Sequence, residues 1–142
     1  MATVKQLLDE KGSSVLSVGP DDTVFNAIQT MSDNNIGSLV VLEGDRLVGI
    51  VTERHYARNV FLKGRSSPKT SVKDIMTTHV VCARPEQSVE ECMAIMTEKA
   101  VRHMPVLQDD RVIGIVSIGD LVKNIISDKE FVIDQLEHYI AG

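Results

Sequence analysis

The sequence predicts a mixed α/β (α+β) fold made of two related β-α-β-β-α repeats with an extra helix at each end. Three observations predict it. The segment Gly49-Ile50-Val51-Thr52 recurs as Gly114-Ile115-Val116-Ser117, and the same shift aligns residues 14–62 with 79–127 without a gap. Twelve of those 49 pairs are identical and the apolar pattern keeps register, the mark of a duplicated supersecondary unit. Within each copy, apolar residues first follow helical spacing and then form two short runs joined by a polar turn, which reads as a helix followed by a hairpin.

Residues 1–13 carry a short helical stripe of Val4, Leu7 and Leu8. The first repeat, 14–63, opens with a strand at Val15–Val18, turns at Pro20 and enters a helix at Thr23. Val24, Ala27, Ile28 and Met31 give that helix one apolar face. A strand at Ser38–Leu42, a turn at Glu43–Arg46 and a strand at Leu47–Val51 follow, and Thr52 stands as the N-cap of a second helix. Residues 64–74 are polar, contain Pro68 and read as a linker. The second repeat, 75–127, runs parallel to the first: a strand at Val80–Ala83, a turn at Pro85, and a helix from Ser88 with Val89, Cys92, Met93 and Met96 inward. Ser88 and Glu91 have the spacing of a capping box. Strands at Met104–Leu107 and Val112–Val116 flank the turn Gln108–Arg111, and Ser117 caps the next helix. A C-terminal helix is expected over 128–142, with Val132, Leu136, Tyr139 and Ile140 on one face. The stripes at the two ends either pack on the body or share in a dimer interface.

Composition narrows the function. Of 142 residues, 43% are hydrophobic, but only three are Phe, two are Tyr and none is Trp, so the core is aliphatic. A net charge of −5 argues against a general nucleic-acid binder, which needs a basic stripe. No run approaches the ~18 apolar residues of a membrane span, and the N-terminus lacks a leader pattern, so a cytoplasmic protein is expected. Cys82 and Cys92 form no C-x-x-C pair and read as reduced core thiols. The four histidines lack metal-ligand spacing, so no metal site is expected. Acids such as Glu53 and Asp120 are scattered, and no nucleophile–base pair, P-loop or dinucleotide fingerprint is present. An enzyme, and with it a catalytic cofactor, is not expected.

A binding site is. Both Gly-x-x-[Ser/Thr] stretches end a strand and begin a helix, whose free N–H groups suit phosphate. The Asp120 carboxylate can accept from two vicinal hydroxyls, Arg102 can hold a phosphate with two parallel bonds, and Gly37 leaves room for a base. Plainer readings stand beside these: Asp120 caps its helix with Ser117, Arg102 and His103 are a solvated pair on a loop, and Arg58 is a surface charge that could also reach the cleft of His55.

Three motifs occur in order. Pro-x-x-[Ser/Thr]-Val precedes the first helix of each repeat at Pro20 and Pro85. Arg102-His103-Met104-Pro105-Val106 leads into a strand. Gly-x-x-[Ser/Thr]-x-x-Asp is complete from Gly114 to Asp120 and lacks only its Asp from Gly49 to His55. On these motifs the chain resembles the CBS-domain family in its paired form, the Bateman module. The resemblance implies two clefts between pseudo-twofold repeats that take AMP, ADP, ATP, NAD or S-adenosylmethionine, and assembly into homodimers. It places Leu16, Ile36, Gly37, Ser38, Ser117 and Asp120 in one cleft, with Asp120 on the ribose. Thr52, His55, Val81 and Val101 fall in the other, with Arg102 and His103 facing phosphates. His55, standing where the family has Asp, implies unequal clefts: the Asp120 cleft binds in the usual manner, while the His55 cleft is weaker, differently posed or suited to a dinucleotide, with a protonated imidazole able to meet phosphate. A separate effector protein would receive the signal. The alternative function is a dimerisation or interaction module with empty clefts.

Overall fold

The computed structural model describes residues 2–12 and 14–128. Helix α1 (Val4–Lys11) leads into β1 (Ser17–Val18), α2 (Val24–Asn34), β2 (Ser38–Glu43), β3 (Arg46–Thr52) and α3 (Glu53–Tyr56), which continues as a π-helical turn, Ala57–Phe61. Two 3-10 turns, Ser67–Lys69 and Val72–Asp74, connect to α4 (Val89–Lys99), β4 (His103–Gln108), β5 (Arg111–Ser117) and α5 (Ile118–Asp128). The two hairpins, β2–β3 and β4–β5, are antiparallel with identical pairing, Ser38 opposite Thr52 and His103 opposite Ser117. Thr23 and Ser88 cap α2 and α4 by accepting from the N–H of Asn26 and Glu91. Both helices close on a left-handed residue, Asn35 and Ala100. The β4–β5 turn places Asp109 and Asp110 at positive φ, 53° and 63°, as the right-handed twist of a two-residue hairpin requires.

Each repeat has its own aliphatic core, and each core is completed by a segment that precedes the other repeat in sequence. Val4, Leu7 and Leu8 of α1 pack with Val89, Cys92, Met96, Met104 and Val116 of the second repeat. Val72 and Ile75 pack with Val24, Met31, Leu39, Val51 and Val60 of the first. The backbone contacts correspond one to one. Val4 N–H donates to Gln87 O and Lys5 N–H to Pro85 O; Val72 N–H donates to Asp22 O and Lys73 N–H to Pro20 O. The stretch 64–74, read from sequence as a linker, therefore contains a core residue, Val72, which is fully buried. Gly49 and Gly114 exist to let these leads in: a Cβ on Gly49 would meet Met76 Sδ at 2.7 Å, and one on Gly114 would meet Leu8 Cδ2 at 2.6 Å.

The strand expected at Val80–Ala83 does not form. Ala83 makes one parallel bridge to Val106, its N–H donating to Pro105 O and its carbonyl accepting from Leu107 N–H. The next bond of a parallel ladder would need an N–H at position 105, which proline lacks. The equivalent position in the first repeat is Val40, and there β1 pairs at two positions, Ser17 with Val40 and Val18 with Val41. The capping box expected at Ser88 is half made: Glu91 N–H donates to Ser88 Oγ at 3.0 Å, without the return bond from the Glu91 side chain. The C-terminal helix expected over 128–142 lies, beyond Asp128, outside the described residues.

Candidate functional site

A cavity of about 280 Å³ opens between the two repeats. Its walls are Gly37, Ile50, Thr52, Glu53, Arg54 and His55 from the first repeat, Ala100, Val101, Arg102 and His103 from the second, and Thr77 from the lead segment between them. The start of each second helix is pinned to the loop before its hairpin. Glu53 N–H donates to Gly37 O at 3.1 Å, and Ile118 N–H donates to Arg102 O at 2.8 Å. Gly37 is the point of closest approach, since a Cβ there would sit 3.2 Å from Glu53 Oε1 and 3.6 Å from His103 Nε2.

Sequence reasoning divided the site residues between two clefts, and the structure distributes them differently. Thr52, His55, Val101, Arg102 and His103 meet in the cavity as expected, and Gly37 joins them from the other group. Ile36 faces a separate open groove of about 520 Å³ beside α2 and α3, which shares Gly37 and Glu53 with the cavity. Leu16 is exposed, Ser38 is buried in β2, and neither Val81 nor Arg58 lines the cavity. Glu53, Arg54, Ile50, Thr77 and Ala100 were not singled out as binding residues. The position of Glu53 and Arg54 directly after Thr52 is a signal that could have found them.

Asp120, the expected ribose acceptor, is already engaged. Its Oδ2 accepts from Ser117 N–H at 2.8 Å and from Lys11 Nζ at 2.5 Å, while Asp120 N–H donates to Ser117 Oγ at 3.1 Å. Lys11 also donates to Ile115 O at 2.7 Å, so α1 is latched across the second repeat. Burial raises the Asp120 pKa, but the bonds from Lys11 and Ser117 outweigh it and hold the carboxyl below its ordinary value. The capping geometry that stood as the plainer reading of Asp120 is thus present, reinforced by a lysine that sequence spacing could not reveal.

Thr52 and His55 form the matching box. His55 N–H donates to Thr52 Oγ1 at 3.2 Å, and Thr52 N–H donates to His55 Nδ1 at 3.1 Å. Accepting at Nδ1 leaves the ring proton on Nε2. Burial, aided by the Arg54 and Arg58 charges, lowers the His55 pKa. In the protein without ligand the ring is therefore neutral near pH 7, and His55 offers one neutral N–H donor rather than the imidazolium considered from the sequence. His103 is likewise lowered, by burial first and against the pull of Asp120. The helix-terminal phosphate cradle is narrower than expected: the N–H groups of Glu53, His55, Ile118 and Asp120 are spent within the protein, which leaves those of Arg54 and Gly119 in the first turns. The cations left for an anion are Arg54 and Arg102, one from each repeat, and neither guanidinium has an ion-pair partner among the described residues.

Among the described residues no cluster of His, Cys, Asp or Glu could hold a metal ion, and no helix is long and apolar enough to cross a membrane. Comparison with known proteins matches the CBS domain model twice, over residues 4–61 and 72–127. The CBS domain-containing protein CBSX3, mitochondrial, of Arabidopsis thaliana is 39% identical over 99% of this chain and 72% of its own length. A solved CBS-domain structure, NE2398, is 51% identical with a TM-score of 0.85, covering 88% of this chain and 98% of that one. The CBS domain pair of protein MJ0100, solved with 5′-methylthioadenosine and S-adenosyl-L-methionine, is 24% identical with a TM-score of 0.81 over 91% of this chain and 99% of that one.

Proposed function

The chain belongs to the CBS-domain family as a tandem pair, a regulatory module, and from that premise we propose that the cavity binds one adenosine-class mononucleotide and that the protein is a sensor rather than an enzyme. One observation carries the reading. In a chain of net charge −5, the wall of this cavity holds two guanidinium groups against one carboxylate, Arg54 and Arg102 against Glu53. That local reversal of sign favours an anion. Ile50, Ala100 and Val101 supply an apolar wall for a base. One neighbour of the same fold supports the adenosine class: the MJ0100 pair was solved with 5′-methylthioadenosine and S-adenosyl-L-methionine. A volume of about 280 Å³ lies just below the ~300–1,000 Å³ of typical ligand pockets, and favours a mononucleotide over a dinucleotide such as NAD.

Residues of both repeats surround the ligand, so its binding energy bears on how the repeats sit together, which is the basis of a signal to an effector protein. The test is calorimetric titration of nucleotide-stripped protein with AMP, ADP, ATP and NAD, repeated with Arg102→Ala. The expected result is saturable binding of AMP at one per chain, weakened about tenfold or more by Arg102→Ala, because a charge-assisted bond contributes roughly 1.5–3 kcal/mol. No binding by any of the four overturns the reading.

A second reading, a homodimerisation module, rests on α5. Ile118, Val122 and Ile126 recur at four-residue spacing and are 37%, 37% and 46% exposed, a continuous apolar line on one helix face. Sedimentation equilibrium of the wild type and of Val122→Asp tests it. A wild-type dimer that the substitution dissociates supports the reading; a monomeric wild type removes it.

A further inference from the structure

We propose that Glu53 selects ribose over deoxyribose in this cavity, accepting hydrogen bonds from the sugar hydroxyls in place of the aspartate that position 55 lacks. The inference rests on the cavity holding a nucleotide. Four observations lead to it.

First, Glu53 is the one carboxylate on the cavity wall. Vicinal hydroxyls need an acceptor with two free oxygens, which a carboxylate provides and a neutral imidazole does not. Second, His55 cannot substitute. Its Nδ1 is spent on Thr52 N–H, and its Nε2 carries the proton, so toward the cavity it is a donor only.

Third, the Glu53 carboxylate has no hydrogen-bond or ion-pair partner among the described residues, although Arg54 is its neighbour in sequence and Arg102 shares the cavity. Asp120, its counterpart in the other repeat, is doubly bonded to Ser117 and Lys11. An acceptor facing a cavity with its oxygens free is disposed for a ligand. Fourth, the repeats are complementary at these positions. The first repeat reads Thr52-Glu53-Arg54-His55 where the second reads Ser117-Ile118-Gly119-Asp120. Each helix start carries one carboxylate, two residues apart, and the shifted one lies where the cavity opens. Glu53 Oε1 lies close above Gly37, 3.2 Å from where a Cβ would stand, so any larger residue at 37 would crowd the carboxylate.

The experiment titrates nucleotide-stripped wild type and Glu53→Gln with AMP and with 2′-deoxy-AMP. Both ligands carry the same phosphate, so the ratio of their affinities isolates the sugar from the change in charge at position 53. The expected wild-type preference for AMP is about tenfold or more, the size of a hydrogen bond to a charged group, and Glu53→Gln brings the ratio close to one. Glu53 is exposed, so the variant should fold. Binding of AMP with a ratio unchanged by Glu53→Gln overturns the role of Glu53 and leaves the nucleotide cavity standing. Binding of neither ligand by the wild type overturns the cavity assignment and this inference with it.

Discussion

Gly49 and Gly114 occupy equivalent places in the two repeats, yet alanine should cost much more at the first. At Gly114 the three nearest atoms the added methyl meets all belong to the Leu8 side chain, with Cδ2 at 2.6 Å and Cδ1 at 2.9 Å, and a side chain yields more readily than backbone. At Gly49 it meets Met76 Sδ at 2.7 Å and also the backbone oxygen of Thr77 at 2.9 Å. That oxygen cannot retreat freely, because it accepts from Ile50 N–H at 3.1 Å and Thr77 N–H donates back to Ile50 O at 3.0 Å. Overpacking of this kind costs about 1–3 kcal/mol, and loosening the paired backbone bonds about 0.5–1.5 kcal/mol each. Alanine's smaller unfolded-state entropy offsets about 0.4–1 kcal/mol of it. The net for Gly49→Ala is roughly 3 kcal/mol, and for Gly114→Ala about 1 kcal/mol. At roughly 3 °C per kcal/mol for a chain of this length, the two variants should melt about 9 °C and about 3 °C below the wild type. Urea denaturation and thermal melts of the purified variants measure both. Equal losses, or a larger loss at Gly114, would refute the claim that backbone rather than side chain fills the space above Gly49.

Three further outcomes follow from the same geometry. His55 and His103 both titrate below their ordinary 6.5 when folded, so the unfolded chain takes up protons first as the pH falls. Stability is full above 6.5 and declines below it toward the folded values; the double variant His55→Gln, His103→Gln should flatten a plot of urea midpoint against pH, and an unchanged slope counts against the buried neutral rings. Asp120 is held low when folded, so its contribution is present at neutral pH and lost as the pH falls through its folded value. Lys11→Met should therefore cost under ~1 kcal/mol near pH 7, as expected for a partly exposed pair, and less once the pH lies below the folded Asp120 value, where only the bond to Ile115 O is lost; a cost that does not shrink there would count against the ion pair. Burial and the nearby Glu91 push the Cys92 thiol up to about 11 in a fully buried site, so labelling by a thiol reagent should wait for global unfolding. Fast modification of Cys92 in native protein would contradict its place in the core.

Much of the fold was legible because the repeat keeps one register from Val15 to Asn59, and a residue pattern that recurs without a gap recurs in structure. Thr23, Ser88, Thr52 and Ser117 all cap as read, since capping depends on neighbours within three residues. What escaped depends on distance or on register. The leads Val4-Lys5 and Val72-Lys73 match each other only at a different offset from the body of the repeat, so an ungapped comparison passes over them. Pro105 sits in an apolar run that reads as strand, and its missing N–H matters only for a neighbour more than twenty residues earlier. Lys11 and Asp120 stand 109 residues apart, too far for local spacing to reveal their pairing, and the open cavity is lined by His55 rather than by Asp120. Glu53 and Arg54 were visible as residues but not as a wall, because a cavity is a property of two repeats brought face to face.

The exchange of lead segments also bears on ancestry and assembly. A lone copy of this unit would expose the strand beside Gly49 or Gly114 and have no partner for its own lead, so it would be expected to gain stability by pairing with a second copy. Joining the copies in one chain turns that association into an intramolecular step, with an effective concentration on the order of millimolar for a short tether. The same clasp predicts that a nick between Phe61 and Ser66 would leave two fragments holding one another, each closed by the segment the other contributes.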